Sequence, residues 1–417
     1  MSTEKKFYEM SLEQRLLVIS SKTNIPKSKI SKAVKHSLSF DKIDRMVENA
    51  IGTFALPLGV ATNFTINKKE YLVPMAIEEP SVIAAASHAA KLANYSGGFS
   101  ASSDNSIMRG QIQIINVPDI KRAVRSIFKK RHFLLDIANS CSKSVKALDL
   151  RTRVIRNNVD GSKMLITELY VDCKDSMGAN TINTMCELLA PDIEKITQGV
   201  VVLKILSNYA TERIVTSRAI FKKELLGDVE IVDRILSAFA FAFSDPHRAV
   251  THNKGIMNGI DSVSIATGQD FRAIEAAAHA YASRDGKYRP LTIFSKSSKG
   301  DIIGSIEIPL AVGIVGGIST VHPAAKIGLQ ILGVKSAAEL GCVIASVGLA
   351  QNFAAIRALS TEGIQAGHMR LHAKNIAVAA GAAGKLVDIV ADAMYAQSNI
   401  NLDSAKTILR GLRIAKK

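Results

Sequence analysis

Residues 111–117, QIQIINV, open the stretch whose pattern decides the fold. Gln111 and Gln113 alternate with Ile112 and Ile114, the period of a half-buried strand. A helical run follows at 119–142, then strands ALDLRTRVI (147–155) and KMLITELYV (163–171) around an Asn157-Asn158…Gly161 turn. Helix 178–198 and strand VVVLKIL (200–206) complete it. The order β-α-β-β-α-β is the split βαβ pattern of a ferredoxin-like domain.

Working outward, residues 1–50 read as helical, with amphipathic spacing at 11–20 and 28–36, and 52–71 as short strands and turns. Glu79-Pro80-Ser81 opens an Ala-rich helix to about Asn94, with Pro80 expected at its first position. Beyond 206 helices dominate: 228–243, 270–283, 324–332 and 336–362, with a loop at 245–258, a hairpin at 291–308 and a Gly-rich turn at 313–317. Two more helices, broken between Gly381 and Gly384, fill the tail. The expected class is α/β (α+β). A large mixed helical/strand domain (1–105 and 209–361) is interrupted by a ferredoxin-like βαββαβ cofactor domain (106–208), with a helical C-terminal flap (362–417).

The chain has 417 residues, long enough for a sizeable core, and aromatics are only 5% with no Trp, so that core rests on Ala, Ile, Val and Leu. No stretch reaches the roughly 18 uninterrupted apolar residues a membrane-spanning helix needs. The first ten residues lack the apolar region of a secretory signal. Cys141, Cys173, Cys186 and Cys342 form no C-x-x-C pair, which suits reduced thiols in a cytoplasm. Residues 121–156 hold eleven Lys/Arg against Asp136 and Asp149, a large part of the net +16. Such a concentration suits a polyanion: nucleic acid, an anionic membrane face, or phosphate-bearing small molecules. RNA on a ferredoxin-like sheet calls for exposed aromatics, and strands 111–117, 147–155 and 200–206 contain none.

Six blocks carry a resemblance: ENAIGTFALP (48–57), PMAIEEPSVIAAAS (74–87), DSMGANTINTM (175–185), THNKGIMNGID (251–261), ATGQD (266–270) and EGIQAGHM (362–369). In this order they resemble the signature blocks of 3-hydroxy-3-methylglutaryl-coenzyme A (HMG-CoA) reductase, specifically its soluble, mainly bacterial class II. The resemblance implies a two-hydride interconversion of HMG-CoA and mevalonate plus coenzyme A in isoprenoid metabolism. Reducing a thioester to an alcohol needs a cation for the developing oxyanion and two proton donors. By resemblance Lys254, in the expected loop, is the cation. Glu79, rather than the adjacent Glu78, is a proton donor. Asp270 orients both and pairs with Lys254, while also suiting a helix N-cap. His368 protonates the coenzyme A thiolate. His368 and His372 are four apart, but no third ligand lies nearby, so no metal is expected.

For cofactor, no G-x-G-x-x-G follows a strand, which argues against a Rossmann domain. The resemblance instead puts a nicotinamide dinucleotide at Asp175, Met177, Gly178 and Asn180, where a strand turns into a helix whose N-terminus favours pyrophosphate. Asp149 faces the adenine ribose and favours NADH, whereas Arg151 and Arg153 on the same strand suit the 2′-phosphate of NADPH. Either cofactor is expected, NADH slightly favoured. Ser81, Arg248, Asn258 and Gln351 match positions near the HMG group, beside plainer readings as helix cap, turn or helix surface. The family's site lies between subunits, so the expected assembly is a homodimer or a multiple of it, cytoplasmic, with no nucleic-acid or membrane partner.

Overall fold

The computed structural model describes residues 6–35, 38–227, 229–361, 363 and 373–414. Helices α1 (Leu12–Thr23), α2 (Lys27–Lys35) and α3 (Phe40–Asp44) lead in. Ser11 caps α1 by a reciprocal capping box with Gln14. Leu16, Ile19 and Ile30 from α1 and α2 pack on Leu72 and on Ile327 and Ile331 further along the chain.

Two sheets follow. The larger has the order β2-β1-β3-β8-β10-β9. Its strands are β1 (Leu58–Ile66), β2 (Lys69–Ala76), β3 (Phe99–Ser103), β8 (Ile214–Phe221), β9 (Thr292–Lys296) and β10 (Ile302–Pro309). The smaller is β5-β6-β4-β7, from β4 (Ile107–Ile115), β5 (Lys146–Arg156), β6 (Lys163–Asp172) and β7 (Val200–Ser207), every neighbouring pair antiparallel. Counted within the insert, that order is 2-3-1-4, the split βαβ arrangement read from the sequence. The even positions of β4, Met108, Ile112 and Ile114, are buried under helices α5 (Ile120–Lys129), α6 (Arg131–Asn139) and α7 (Ala179–Thr197). The expected single helix over 119–142 is two, because Lys130 leaves helical geometry (φ −95°, ψ 11°).

The larger sheet is covered by α4 (Val82–Asn94), α8 (Val229–Ser244), α9 (Pro246–Ala266), α10 (Phe271–Ala282), α11 (Ile318–Val321), α12 (Pro323–Leu332) and α13 (Ala337–Ser360). Segment 373–379, α15 (Lys385–Ala396) and α16 (Leu402–Ile414) form a separate cluster around Val390, Met394 and Leu409; counting 373–379 as α14 keeps the chain order. By length and composition α13 would qualify to cross a membrane, although no run in it is uninterrupted. It is a core helix: Leu340, Val343, Val347, Leu349 and Phe353 are wholly buried.

Three expectations are corrected. Strands β3 and β8 were not anticipated, although β8 is central to the larger sheet. Residues 245–258 are not a loop but the first half of α9, started by the Asp245 side chain on the Arg248 amide and by Pro246 in the first turn. Gly259 is there for packing. A Cβ on Gly259 would stand 2.9 Å from Gln351 Cβ and 3.0 Å from the Val347 carbonyl of α13. Finally, α4 begins at Val82 rather than at Pro80, and Ser81 stands before it with φ +74°.

Candidate active site

Because Lys254 lies on α9, its position follows from helix phase. His252 and Asn253 are buried, and Lys254 emerges with a side chain 60% exposed. Its Nζ donates to Glu79 Oε2 at 2.6 Å, and Asn258, one turn on, donates Nδ2–H to the same oxygen at 3.2 Å. Both donors thus meet on Oε2, and no described residue donates to Oε1. Glu79 is presented by the turn between β2 and α4, where Ser81 holds the left-handed conformation that few residues but glycine or asparagine adopt readily. Ser81 makes no cap hydrogen bond with its hydroxyl. Gln351, buried on α13 against Gly259, leaves Oε1 without a partner among the described residues. Residues 175 positions apart therefore converge on one lysine–carboxylate centre, with the Asn258 amide beside it.

One expected member does not join it. Asp270 accepts from the Ala273 amide at 3.2 Å and pairs with Arg272 at 3.1 Å. The expected pair with Lys254 is not made: Asp270 sits just beyond the far end of α9, roughly 18 Å of helical rise from Lys254. Arg248, in the first turn of α9, is half-buried, and burial lowers its pKa. His368 lies outside the described residues.

The residues expected to hold a dinucleotide lie on the smaller sheet and its connection to α7. Gly178 takes φ +97° at the N-terminus of α7, which has no side-chain cap. Its first amides are thus available to a phosphate, and this is the observation that fits a dinucleotide there. A Cβ at Gly178 would also stand 2.3 Å from Cys173 Sγ, so the glycine is needed for packing as well. Asp175 Oδ1 accepts from the Ala337 amide at 2.8 Å, fastening this turn to α13. Met177 packs partly buried beside it, and Asn180 is exposed. On β5, Asp149 pairs with Arg131 (2.7 Å) and Arg151 (2.9 Å). Burial works to raise its carboxyl, but Arg151, the Leu150 amide and Arg131 outweigh it and hold the pKa below the ordinary value. Arg153 is paired with the buried Glu168 at 2.9 Å. Tyr170 of β6, on the fourth strand of this sheet, is buried between the guanidinium groups of Arg109 and Arg151, 4.9 and 4.5 Å from its ring.

Comparison with known proteins places this architecture. Residues 11–373 match the family described as hydroxymethylglutaryl-coenzyme A reductase. The chain is 50% identical over 412 residues to 3-hydroxy-3-methylglutaryl-coenzyme A reductase of Archaeoglobus fulgidus, covering 98% of this chain and 94% of that one. It is 37% identical over 343 residues to a probable reductase of the same name from Borreliella burgdorferi, covering 81% and 78%. Its fold matches the class II enzyme of Streptococcus pneumoniae, a structure bound to NADPH in open conformations, with TM-score 0.81, 38% identity and coverage of 97% and 100%. Fold and matches together define the class as an α/β oxidoreductase of the mevalonate pathway. The chain belongs to the HMG-CoA reductase family.

A carboxyl pair further along α9 was not singled out from the sequence, where Asp261 is just the last residue of a block. Asp261 of α9 lies beside Glu275 of α10 with its Oδ1 making no hydrogen bond among the described residues, and burial first, then the neighbouring Glu275 carboxyl, raises its pKa to about 8. Between the ordinary value of 3.8 and about 8 the folded state binds the extra proton, so stability falls as pH rises through that window. Asp261→Asn removes the penalty: at pH 9 the variant should melt about 2 °C or more above the wild type, with the gap narrowing steadily as the pH falls to about 4. Parallel Tm-against-pH curves for the two proteins would show that Asp261 does not hold a proton in the folded state.

Proposed function

We propose that the chain catalyses the two-hydride reduction of HMG-CoA to mevalonate and coenzyme A, with the reverse direction available to the same residues. The Lys254–Glu79–Asn258 cluster carries this reading. Lys254 faces the thioester carbonyl and stabilises the oxyanion as it forms. Lys254 and Asn258 both hold Glu79 Oε2, which leaves Oε1 to pass protons to the substrate oxygen. When bound, the reduced nicotinamide supplies one hydride at each of two steps. Ser81, Arg248, Asn258 and Gln351 hold the HMG group, whose carboxylate suits the half-buried guanidinium of Arg248. Asp175, Met177, Gly178 and Asn180 hold the dinucleotide on the cofactor domain, residues 106–208, while 1–105 and 209–361 hold the substrate and 362–417 close over it.

The Streptococcus relative is bound to NADPH, and a nicotinamide cofactor is proposed here too. Arg151 and Arg153 are already committed to Asp149 and Glu168, and Asp149 stays ionised, so we favour NADH while NADPH is also accepted. A cytoplasmic setting fits the four free thiols, three of them buried. A homodimer fits the block at 48–57, where Ile51 is 100% and Phe54 94% exposed. A second subunit would cover these side chains and bring an Asp270 to the lysine that its own chain keeps distant. Sedimentation velocity at micromolar concentration should show the dimer, and a monomer would remove the shared-site reading.

The direct test is HMG-CoA-dependent oxidation of NADH and of NADPH in parallel. Lys254→Ala should cut turnover by about a hundredfold or more, roughly 3–4 kcal/mol of lost oxyanion stabilisation, and leave cofactor binding measurable. Turnover within about threefold of wild type would take Lys254 out of the mechanism.

His368 is proposed as the donor to the departing thiolate, whose free pKa is about 8.5. Reduction of free mevaldehyde expels no thiolate. His368→Gln should therefore slow HMG-CoA reduction severely and largely spare mevaldehyde reduction. Equal loss in both half-reactions would assign His368 to closing the site instead.

A further inference from the structure

Behind Lys254, on the buried side of α9, three side chains form a closed polar network. His252 Nε2 lies 2.7 Å from Thr292 Oγ1, Thr292 donates to Asn352 Oδ1 at 2.8 Å, and Asn352 Nδ2 donates to the His252 carbonyl at 3.1 Å. Thr292 is 0% exposed, and His252 and Asn352 are 2% exposed. The hydrogen positions follow by elimination. The His252 carbonyl only accepts, so Asn352 turns its NH₂ to it and its oxygen to Thr292. Thr292 then spends its one proton on that oxygen, and His252 Nε2 must carry the hydrogen. His252 is thus a neutral Nε2–H imidazole, and Nδ1 is left without a partner among the described residues. Burial, then the charge of Arg248, pushes its pKa down to about 3, in agreement with that tautomer.

The next residue is fastened too. Asn253 Nδ2 donates to the Arg289 carbonyl at 2.9 Å, and its Oδ1 accepts from the Leu291 amide at 2.9 Å. Residues 252 and 253 are therefore tied to Arg289, Leu291 and Thr292 and to α13 by four hydrogen bonds. On a helix, successive side chains are set about 100° apart. Pinning His252 inward directs Lys254, about 200° further round, out toward Glu79, and Asn258 follows on the same face.

We propose that the His252–Thr292–Asn352 network is the positioning element of Lys254, fixing the rotation of α9 that delivers Lys254 and Asn258 to Glu79. This rests on the reading of Lys254 as the oxyanion cation. The three residues are positioning residues, since all are buried behind the helix. Removing the Thr292 hydroxyl leaves both the His252 N–H and the Asn352 oxygen unpaired in a buried site, and a small rotation of α9 toward solvent relieves both. A displacement near 1 Å at a reacting group costs about a hundredfold in rate.

The test compares Thr292→Val, which keeps shape and loses the hydroxyl, with Thr292→Ser, which keeps the hydroxyl, both in the full chain and both corrected for the folded fraction. Thr292→Val should lower kcat by about 10–100-fold with KM for HMG-CoA within about twofold, and Thr292→Ser should restore kcat to within about twofold of wild type. If Thr292→Val melts lower yet matches Thr292→Ser in kcat, the network is structural only and the proposal is overturned. Should Thr292→Val not fold, His252→Gln and His252→Asn serve instead. Glutamine places an N–H where Nε2 stood and asparagine does not, so kcat should be at least about tenfold higher for Gln, and equal values overturn the proposal. Lys254→Ala separates the two levels. If it turns over normally, the reading of Lys254 itself fails. If it is inactive while Thr292→Val and Thr292→Ser agree, only the positioning role fails.

Discussion

The junction between the two sheets depends on one buried arginine. Arg213, 3% exposed, enters between the smaller sheet and the segment leaving β10. Its guanidinium donates to the carbonyls of Ser176 (3.1 Å), Lys174 (3.4 Å) and Val312 (2.6 Å). A buried charge is tolerated only when its donors are satisfied, and here the backbone of two separate segments satisfies them. Desolvation pulls its pKa down, while the neighbouring Cys173, Asp172 and Asp175 oppose that shift. Those carbonyls hold the turn that opens α7 against the segment leaving β10.

From that arginine a chain of contacts runs to the far end of α9. The Ile314 amide donates to the Asp175 carbonyl at 2.9 Å. The Gly313 amide donates to Gln269 Oε1 at 2.8 Å, the residue next to Asp270. Gly313 has no room for a side chain, since a Cβ there would stand 2.7 Å from the Met177 nitrogen. The proposed dinucleotide turn and the Asp270 turn are thus two ends of one fastened segment. The lysine is different in kind. It stands on a helix wedged against α13, so its precision comes from packing and from the polar network beneath it, whereas the dinucleotide turn takes its place from backbone hydrogen bonds.

Legibility in the sequence followed the strength of local pattern. The insert was readable because each of its strands and helices has its own period, down to the Ile/Gln alternation of β4. Glu79, Lys254 and Asn258 were readable only through the resemblance, and the structure brings them within hydrogen-bonding distance. Strand β8 was not readable because two of its inward positions are small, Ser217 and Ala219, and Ser217 satisfies its hydroxyl against Ser346 of α13 at 2.8 Å. That pairing is with a residue 129 positions away. The helical state of 246–258 was hidden by Gly255 and Gly259, which lower helix propensity locally. Gly259 at least is compensated by close contact with α13. The missing Asp270–Lys254 pair shows the limit of reading adjacency in sequence as adjacency in space: a rigid helix separates them.

Helix α13 carries a consequence for how the chain reaches this state. It is apolar enough to be mistaken for a membrane segment, so before it is buried it is a stretch prone to aggregation. Every described element that packs closely on it, α4, β1, β3, β8, α8, α9 and β10, precedes it in the chain. During synthesis the groove that receives α13 has therefore already left the ribosome when α13 emerges. The order of elements along the gene limits how long this apolar surface stays in water.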